Sequence, residues 1–193
     1  MLLFMIRHGQ TQANAEELLY GQLEYPLTEE GKRQATALQP LLSRFVFDRV
    51  YASDLSRAVQ TAKLAIPGCE PIQTPCLREY DFGSIAPIKR TDFFANYKHL
   101  LGDYRTVGGE SSEDVKQLLR AFLDQLEADP QPCVAAFSHS GTIKCLLRMV
   151  LGEGMNTAHL ESPNCNVAVF RFENGTWSLA AWNLAGNIEG EPT

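Results

Sequence analysis

The chain has 193 residues, 45% of them hydrophobic, so it can bury a core of ordinary size without metal ions or disulfides. Its formal net charge of −6 argues against nucleic acid and anionic membranes as partners, because both attract basic surfaces. Its five cysteines form no CxxC pair and no run of about 18 apolar residues occurs, so we expect a cytoplasmic protein that does not span a membrane.

A short apolar run, Leu2–Ile6, opens the chain and leads into Arg7-His8-Gly9. The run is shorter than the apolar part of a signal peptide and has no basic leader, so it predicts a strand. A second apolar run, Cys133–Phe137, leads in the same way into Ser138-His139-Ser140-Gly141. Continuous apolar runs of this length are typical of parallel strands that are buried on both faces.

Hydrophobic periodicity and capping residues predict the other elements. In chain order these are a helix from Thr28 to about Ser43, a strand at Val50–Ala52, a helix that Ser53-Asp54 caps and Pro67-Gly68 ends, a short strand within Pro71–Pro75, a helix over Thr91–Leu101, a helix that the capping box of Ser111 and Asp114 begins, a helix over Thr142–Leu151 that Gly152 ends, and a hairpin of Val167–Phe172 and Thr176–Trp182. The alternation predicts an α/β fold, a three-layer αβα sandwich with a mainly parallel central sheet and an antiparallel edge element.

No repeat, low-complexity tract or linker divides the chain, so we expect one domain over residues 1–193. Around residues 84–110 the pattern is irregular and interrupted by glycines, which is typical of an inserted lid. Lys89, Arg90 and Lys98 lie in this segment. They are either ordinary surface charge or a basic cluster that steers an anionic substrate.

Open parallel sheets bind ligands beyond the carboxyl ends of their strands. His8 and His139 each follow a predicted parallel strand, and Arg57 lies early in the helix that follows a third. We therefore expect both histidines, Arg57 and Arg7 to face one crevice. An acidic protein needs such a local basic pocket to bind an anionic substrate.

Four segments of the chain carry a family resemblance. They are RHGQTQAN from Arg7 to Asn14, SDLSRAVQTA from Ser53 to Ala62, LREYDFG from Leu77 to Gly83, and SHSG from Ser138 to Gly141. Together they resemble the histidine phosphatase superfamily, also called the phosphoglycerate-mutase-like family. The resemblance covers most of the chain, and four ordered matches are far more specific than one short motif.

The resemblance implies that His8 is the nucleophile, whose unprotonated ring attacks phosphorus and forms a phosphohistidine. It implies that Arg7 and Arg57 bind the phosphoryl oxygens and also disfavour a proton on His8. His139 is implied to hydrogen-bond the transferring phosphoryl group. Glu79 matches the family's general acid, which later acts as the general base.

Three further groups are implied near the phosphate. Asn14 adds a neutral donor, and Ser140 places a hydroxyl where relatives have glycine. The helix that begins near Gly141 is expected to aim backbone N–H groups at the same anion. Glu79 and Asp81 are near neighbours in a loop, where acidic residues are usually just solvated, so Asp81 remains an alternative for the acid. Glu79 is preferred because it holds the family's place two residues after the leucine.

The resemblance implies a metal-independent phosphomonoesterase with no cofactor, acting on a small phosphorylated metabolite. One alternative is a cofactor-dependent phosphoglycerate mutase, but the segment between Gly83 and Ser111 is shorter than the insertion of the family's mutases. Another is a catalytically silent phosphate-binding module. A third is a metallohydrolase with His8 and His139 as ligands, although zinc usually needs a third protein ligand and the arginines repel a cation. The sequence leaves the physiological substrate and the oligomeric state open.

Overall fold

The computed structural model describes residues 1–157 and 159–184. The strands are β1 Leu2–Arg7, β2 Leu18–Leu19, β3 Arg49–Ser53, β4 Ile72–Thr74, β5 Ile88–Lys89, β6 Cys133–Ser138, β7 Val167–Glu173 and β8 Thr176–Ala181. The helices are α1 Gln12–Ala15, α2 Glu29–Ala37, α3 Gln39–Leu42, α4 Ser56–Ala65, α5 Arg90–Asn96, α6 Ser112–Ala128 and α7 Ser140–Leu151. Within these two ranges, no helix has the length and apolar character that crossing a bilayer requires.

Six strands form the central sheet in the order β4-β3-β6-β1-β7-β8. The first four are parallel, whereas β7 pairs antiparallel with β1 and β8 antiparallel with β7. A separate antiparallel pair joins β2 to β5. The predicted mainly parallel sheet with an antiparallel edge is therefore confirmed.

Alternate residues of the central strands face two different layers of helices. On β1, Leu3 and Met5 pack into a cluster with residues of α6 and α7. Phe4 and Ile6 pack into a second cluster with residues of α2, α3 and α4. Because the strand is buried on both faces, its sequence is a continuous apolar run, and the αβα sandwich is confirmed.

The long helix predicted from Thr28 to Ser43 is broken at Leu38 into α2 and α3. Thr28 caps α2 as predicted. Pro40 has no backbone N–H to donate to the carbonyl four residues earlier, so the helical ladder is interrupted there, and the proline lies in the first turn of a new helix. The prediction of one continuous helix was therefore wrong.

The prediction that Ser53-Asp54 caps α4 was also wrong. Ser53 ends β3, and the Asp54 carboxylate pairs with Arg78 at 2.6 Å. The first backbone N–H of α4, at Ser56, instead donates to Glu24 of an earlier loop at 3.2 Å. The N-terminus of α4 is therefore capped by the carboxylate of Glu24, which is distant in the sequence, and not by Ser53 or Asp54.

Two predicted helices have different ends in the structure. The helix predicted over Thr91–Leu101 stops at Asn96, whose side-chain amide donates to the Asp92 carbonyl at 3.1 Å and competes with the helical ladder. The helix predicted from Thr142 begins at Ser140. The Ser111–Asp114 capping box and the tight turn between β7 and β8 are as predicted.

The segment after β1 packs backbone to backbone against α2. A Cβ atom on Gly31 would lie 2.0 Å from the Gln10 carbonyl oxygen, and one on Gly9 would lie 2.4 Å from the Gly31 carbonyl oxygen. Only glycine permits such approaches, since a methyl group there would overlap backbone atoms. This contact fixes the course of the chain directly after β1.

Candidate active site

The strand register places the two histidines beside each other. Arg7 on β1 pairs with Ser138 on β6, so His8 and His139 leave the sheet at the same level. Their ring centres are 5.1 Å apart, and the side chains are 3% and 0% exposed. Arg57 reaches the same point from α4, which follows the adjacent strand β3.

A cleft of about 1090 Å³ opens at this edge of the sheet. Six of the seven predicted site residues line it, and these are Arg7, His8, Asn14, Arg57, Glu79 and Ser140. His139 lies beneath the cleft surface, against His8 and Arg57. The fold therefore brings all seven residues to one place.

The hydrogen bonds of His8 fix its neutral tautomer. Nδ1 lies 2.7 Å from the carbonyl oxygen of Gly9. A carbonyl oxygen only accepts, so Nδ1 carries the hydrogen and Nε2 keeps its lone pair. The Tyr20 hydroxyl lies 3.5 Å from that Nε2. The nitrogen able to act as a nucleophile is therefore Nε2.

His139 takes the opposite tautomer. The Arg57 Nε–H donates to His139 Nδ1 at 3.3 Å. Because a guanidinium group only donates, this Nδ1 has the lone pair and Nε2 carries the hydrogen. The Nε2 atom is buried and has no hydrogen-bond partner among residues 1–157 and 159–184. A buried donor without a partner is costly, so this one suits an oxygen that a ligand brings.

The surroundings keep both rings neutral. Burial lowers the pKa of His8 well below the ordinary 6.5, and the charges of Arg57 and Arg7 lower it further. Burial and the charge of Arg57 act in the same direction on the pKa of His139, with smaller effects of His8 and Arg7. Both desolvation and neighbouring positive charge disfavour a proton on imidazole, so the His8 lone pair is available at neutral pH.

Arg57 is wholly buried and connects His139 to the loop that follows β2. Its Nη2 donates to the Gly21 carbonyl at 2.7 Å and its Nη1 to the Leu23 carbonyl at 3.0 Å. Its Cζ lies 4.7 Å from the centre of the Tyr20 ring. A guanidinium group has five N–H donors, and three of them are used by Gly21, Leu23 and His139, so two remain for a ligand as far as the described residues go.

Arg7 offers a second set of donors. Its Nη1 binds the Ser162 carbonyl, and its Nε is buried without a hydrogen-bond partner in the described part of the chain. Burial lowers the pKa of Arg7, but a guanidinium group stays charged in proteins. Unpartnered donors on Arg7 and His139, which both lie close to His8, fit an oxyanion.

The side chain of Glu79, a loop residue, lies against the first turn of α7. Its Oε2 accepts the Gly141 N–H at 2.9 Å, and its Oε1 accepts the Tyr80 N–H at 3.0 Å. A Cβ at position 141 would lie 2.3 Å from Oε1, so a larger residue there would displace the Glu79 carboxylate from this position. The expectation that this helix end aims its N–H groups at the anion was therefore wrong for Gly141, whose N–H the Glu79 carboxylate accepts.

The structure also separates the two acidic candidates. Glu79 lines the cleft, whereas Asp81 is absent from the cleft lining and accepts the N–H of Gly83 at 2.8 Å.

Asn14 accepts from the Thr11 N–H at 3.1 Å through its amide oxygen, which leaves its amide nitrogen to donate to a ligand.

Sequence reasoning missed two residues that touch the histidine segment. The Tyr20 hydroxyl lies 3.0 Å from Thr11 Oγ1 as well as near His8. Asn164 donates to the His8 carbonyl at 3.1 Å and to Asn14 Oδ1 at 3.1 Å. Both come from irregular segments, where no periodicity gives a signal, so only the tertiary structure locates them.

Metal ligation has little support in the donor set. Within residues 1–157 and 159–184, no three His, Cys, Asp or Glu side chains are placed to hold a metal ion. His8 and His139 thus have no third protein ligand there, which disfavours the metallohydrolase alternative.

Comparisons with known proteins show the family of this chain. The family model of the histidine phosphatase superfamily (branch 1) matches residues 3–185. A probable phosphoglycerate mutase GpmB from Enterobacter sp. is 30% identical over 200 residues, covering 96% of this chain and 92% of the relative. The same protein from Cronobacter sakazakii is 29% identical over 199 residues, with the same shares covered.

Solved structures of phosphatases have the same fold as this chain. The α-ribazole phosphatase from Shigella flexneri superposes with a TM-score of 0.82 at 28% identity, covering 98% of this chain and 100% of that one. A mycobacterial glucosyl-3-phosphoglycerate phosphatase in complex with VO3 gives a TM-score of 0.83 at 27% identity, with 94% and 98% covered. Both likenesses extend over nearly the whole of each chain.

The buried neutral histidines have a consequence for stability. Their folded-state pKa values lie below 6.5, so the unfolded chain binds more protons as pH falls. The contribution of the two histidines to the free energy of unfolding therefore keeps its full value above about pH 6.5. Below that pH it falls by about 1.4 kcal/mol per pH unit for each histidine. We expect urea unfolding between pH 7.5 and pH 5 to show this decline.

Two variants isolate the effect from carboxylate protonation. His139→Gln removes one of the two histidines, so its free energy of unfolding should fall less steeply with pH than that of the parent. The matched control is His99→Gln at an exposed position, which should leave the slope unchanged. Equal slopes for the parent and His139→Gln would contradict the assignment.

Proposed function

The chain belongs to branch 1 of the histidine phosphatase superfamily, and on that premise we propose that it is a phosphomonoesterase acting through a phosphohistidine at His8. The observation that carries the proposal is the opposite tautomers of two adjacent imidazole rings. His8 Nε2 has a lone pair to attack phosphorus, and His139 Nε2 has a hydrogen to donate to a phosphoryl oxygen.

In the first half-reaction, His8 Nε2 forms a bond to phosphorus while the bond from phosphorus to the alcohol oxygen breaks. Glu79, as the carboxylic acid, gives its proton to that leaving oxygen. The free donors of Arg7, Arg57 and His139 bind the other phosphoryl oxygens as negative charge moves onto them. No metal or other cofactor takes part in the proposed reaction.

In the second half-reaction, water attacks phosphorus and the Glu79 carboxylate takes a proton from it. The nitrogen–phosphorus bond breaks, and its electron pair returns to His8 Nε2. Phosphate leaves, and both residues regain their starting protonation states. The hydrogen bond from Nδ1 to the Gly9 carbonyl holds the ring in the orientation that both half-reactions need.

The proposal includes three broader features of the chain. We propose that it is one domain over residues 1–193, part of which lies outside the described residues. We propose that the segment 84–110 acts as a lid, since its Arg90, Phe93 and Phe94 line the cleft. A cytoplasmic location fits the five cysteines, which are all free thiols.

A cofactor-dependent phosphoglycerate mutase is the second candidate, and the names of the curated relatives favour it. Both activities share the first half-reaction, but a mutase returns the phosphoryl group to bound product and a phosphatase gives it to water. The names of the solved neighbours favour the phosphatase. Phosphate release compared with isomer formation from 3-phosphoglycerate decides between them. A silent binding module has less support, because the complete set of reactive groups is present.

His8→Ala tests the proposed function. The variant lacks the nucleophile, so we expect hydrolysis of p-nitrophenyl phosphate to fall by about 10³-fold or more and acid-labile phosphate incorporation to disappear. The control is His99→Ala, which removes an exposed histidine outside the cleft and should leave both unchanged. If His8→Ala hydrolyses the aryl phosphate at the parent rate, the proposal fails.

Glu79→Gln tests the assignment of the acid. A poor leaving group needs protonation and a good one does not, so we expect a loss of about 10²-fold or more on an alkyl phosphate and a much smaller loss on p-nitrophenyl phosphate. Asp81→Asn is the matched control, since Asp81 is not part of the cleft lining. Equal losses on both substrates, or a larger effect of Asp81→Asn, would reassign the acid.

A further inference from the structure

Helix α7 presents a row of polar side chains to the cleft. Ser140, Lys144 and Arg148 all line it and are spaced four residues apart, which places them on one face of the helix. Each lies about 6 Å further along the axis than the one before. Ser140 adjoins His139 at the proposed reaction centre, so Lys144 and Arg148 continue the cleft wall away from it.

Neither of these two cations has a carboxylate partner in the described part of the chain. Lys144 is half-buried and forms no hydrogen bond or ion pair with those residues. Arg148 donates to two neutral hydroxyls, Thr157 Oγ1 at 2.8 Å and Tyr80 Oη at 3.4 Å. Four carboxylates also line the cleft, those of Glu17, Glu79, Glu153 and Glu161. None of them forms an ion pair with Lys144 or Arg148 within the described ranges, and Glu153 pairs with a lysine of α6 at 2.9 Å.

The cations of this wall repel one another in the free protein. Burial is the main cause that lowers the pKa of Lys144, the charges of Arg7, Arg90 and Arg148 lower it further, and the Glu79 carboxylate opposes them as the smallest effect. Arg90 lines the same cleft from α5. An anion bound among these groups would offset the repulsion, and the half-buried position would strengthen its attraction.

We propose that Lys144, Arg148 and Arg90 form a second anion subsite, and that the substrate is a phosphate monoester with a second acidic group. That group is a carboxylate or another phosphate, about 5–11 Å from the reacting phosphorus, which is one to two turns along α7. The inference rests on the proposed function of the His8 site, because that site fixes where the first phosphate lies. It narrows the substrate to molecules that carry two separate anionic groups.

Two matched pairs of substrates test the subsite. 3-Phosphoglycerate and glycerol 3-phosphate differ by a carboxylate, and fructose 1,6-bisphosphate and fructose 6-phosphate differ by a phosphate. We expect kcat/KM to be about tenfold or more higher for the member with the extra anion in at least one pair. The pair that shows the preference identifies the second group.

Substitutions at Lys144 assign that preference to the subsite. Lys144→Met keeps the length and removes the charge, and it should reduce the preference to about twofold or less. Lys144→Arg keeps the charge and should retain most of it. Lys63→Met is the control, because Lys63 is a surface cation of α4 outside the cleft and should leave the preference as in the parent.

The same pairs are also measured as ligands of the His8→Ala protein by titration calorimetry. If the His8→Ala protein binds the doubly anionic member more tightly, and if adding Lys144→Met removes that difference, the subsite is supported. This holds even if the hydrolysis assays refute the proposed function. Hydrolysis that needs His8 but shows no preference in either pair overturns the subsite and leaves the proposed function in place. A preference that survives in Lys144→Met also overturns it.

Discussion

The buried guanidinium group of Arg57 organises the site. It donates to His139 Nδ1, and so sets the tautomer of that ring, while two backbone carbonyls of the loop after β2 accept its other bonds. Its charge also lowers the pKa of both histidines. Its hydrogen-bond acceptors within residues 1–157 and 159–184 are all neutral, and the more distant carboxylates of Glu79 and Glu24 oppose the cost of burying its charge. A bound anion would offset that cost further. Burial and the charge of Arg57 together keep His8 neutral, and in the proposed reaction Arg57 also binds the phosphate that His8 attacks.

The sheet supplies the precision that this chemistry needs. Parallel pairing of β1 with β6 brings the two histidines to the same level, and β3 on the far side of β6 brings α4 and its arginine. The backbone contact between Gly9 and Gly31 prevents the chain from taking another course after β1. Catalytic geometry thus follows from strand register and one close approach of helix and loop.

The sequence predicted the meeting of His8, His139 and Arg57 because parallel strands expose their carboxyl ends at one edge, and apolar runs reveal such strands. It did not predict that Glu24 would bind the first turn of α4 or that Tyr20 would lie beside His8. Those contacts join irregular segments distant in the chain, and neither periodicity nor local capping rules contain information about them. The sequence also did not single out Lys144 and Arg148 of α7, because a helical row of polar residues is usually a solvated face.

The central claim is that His8 and His139 are neutral and in opposite tautomers before substrate binds. Long-range ¹H–¹⁵N correlation spectra of the free protein at pH 7 report the protonation of each ring nitrogen. The expected result is a hydrogen on Nδ1 of His8 and on Nε2 of His139. A protonated His8 ring, or the same tautomer in both residues, would contradict the proposed roles of nucleophile and donor.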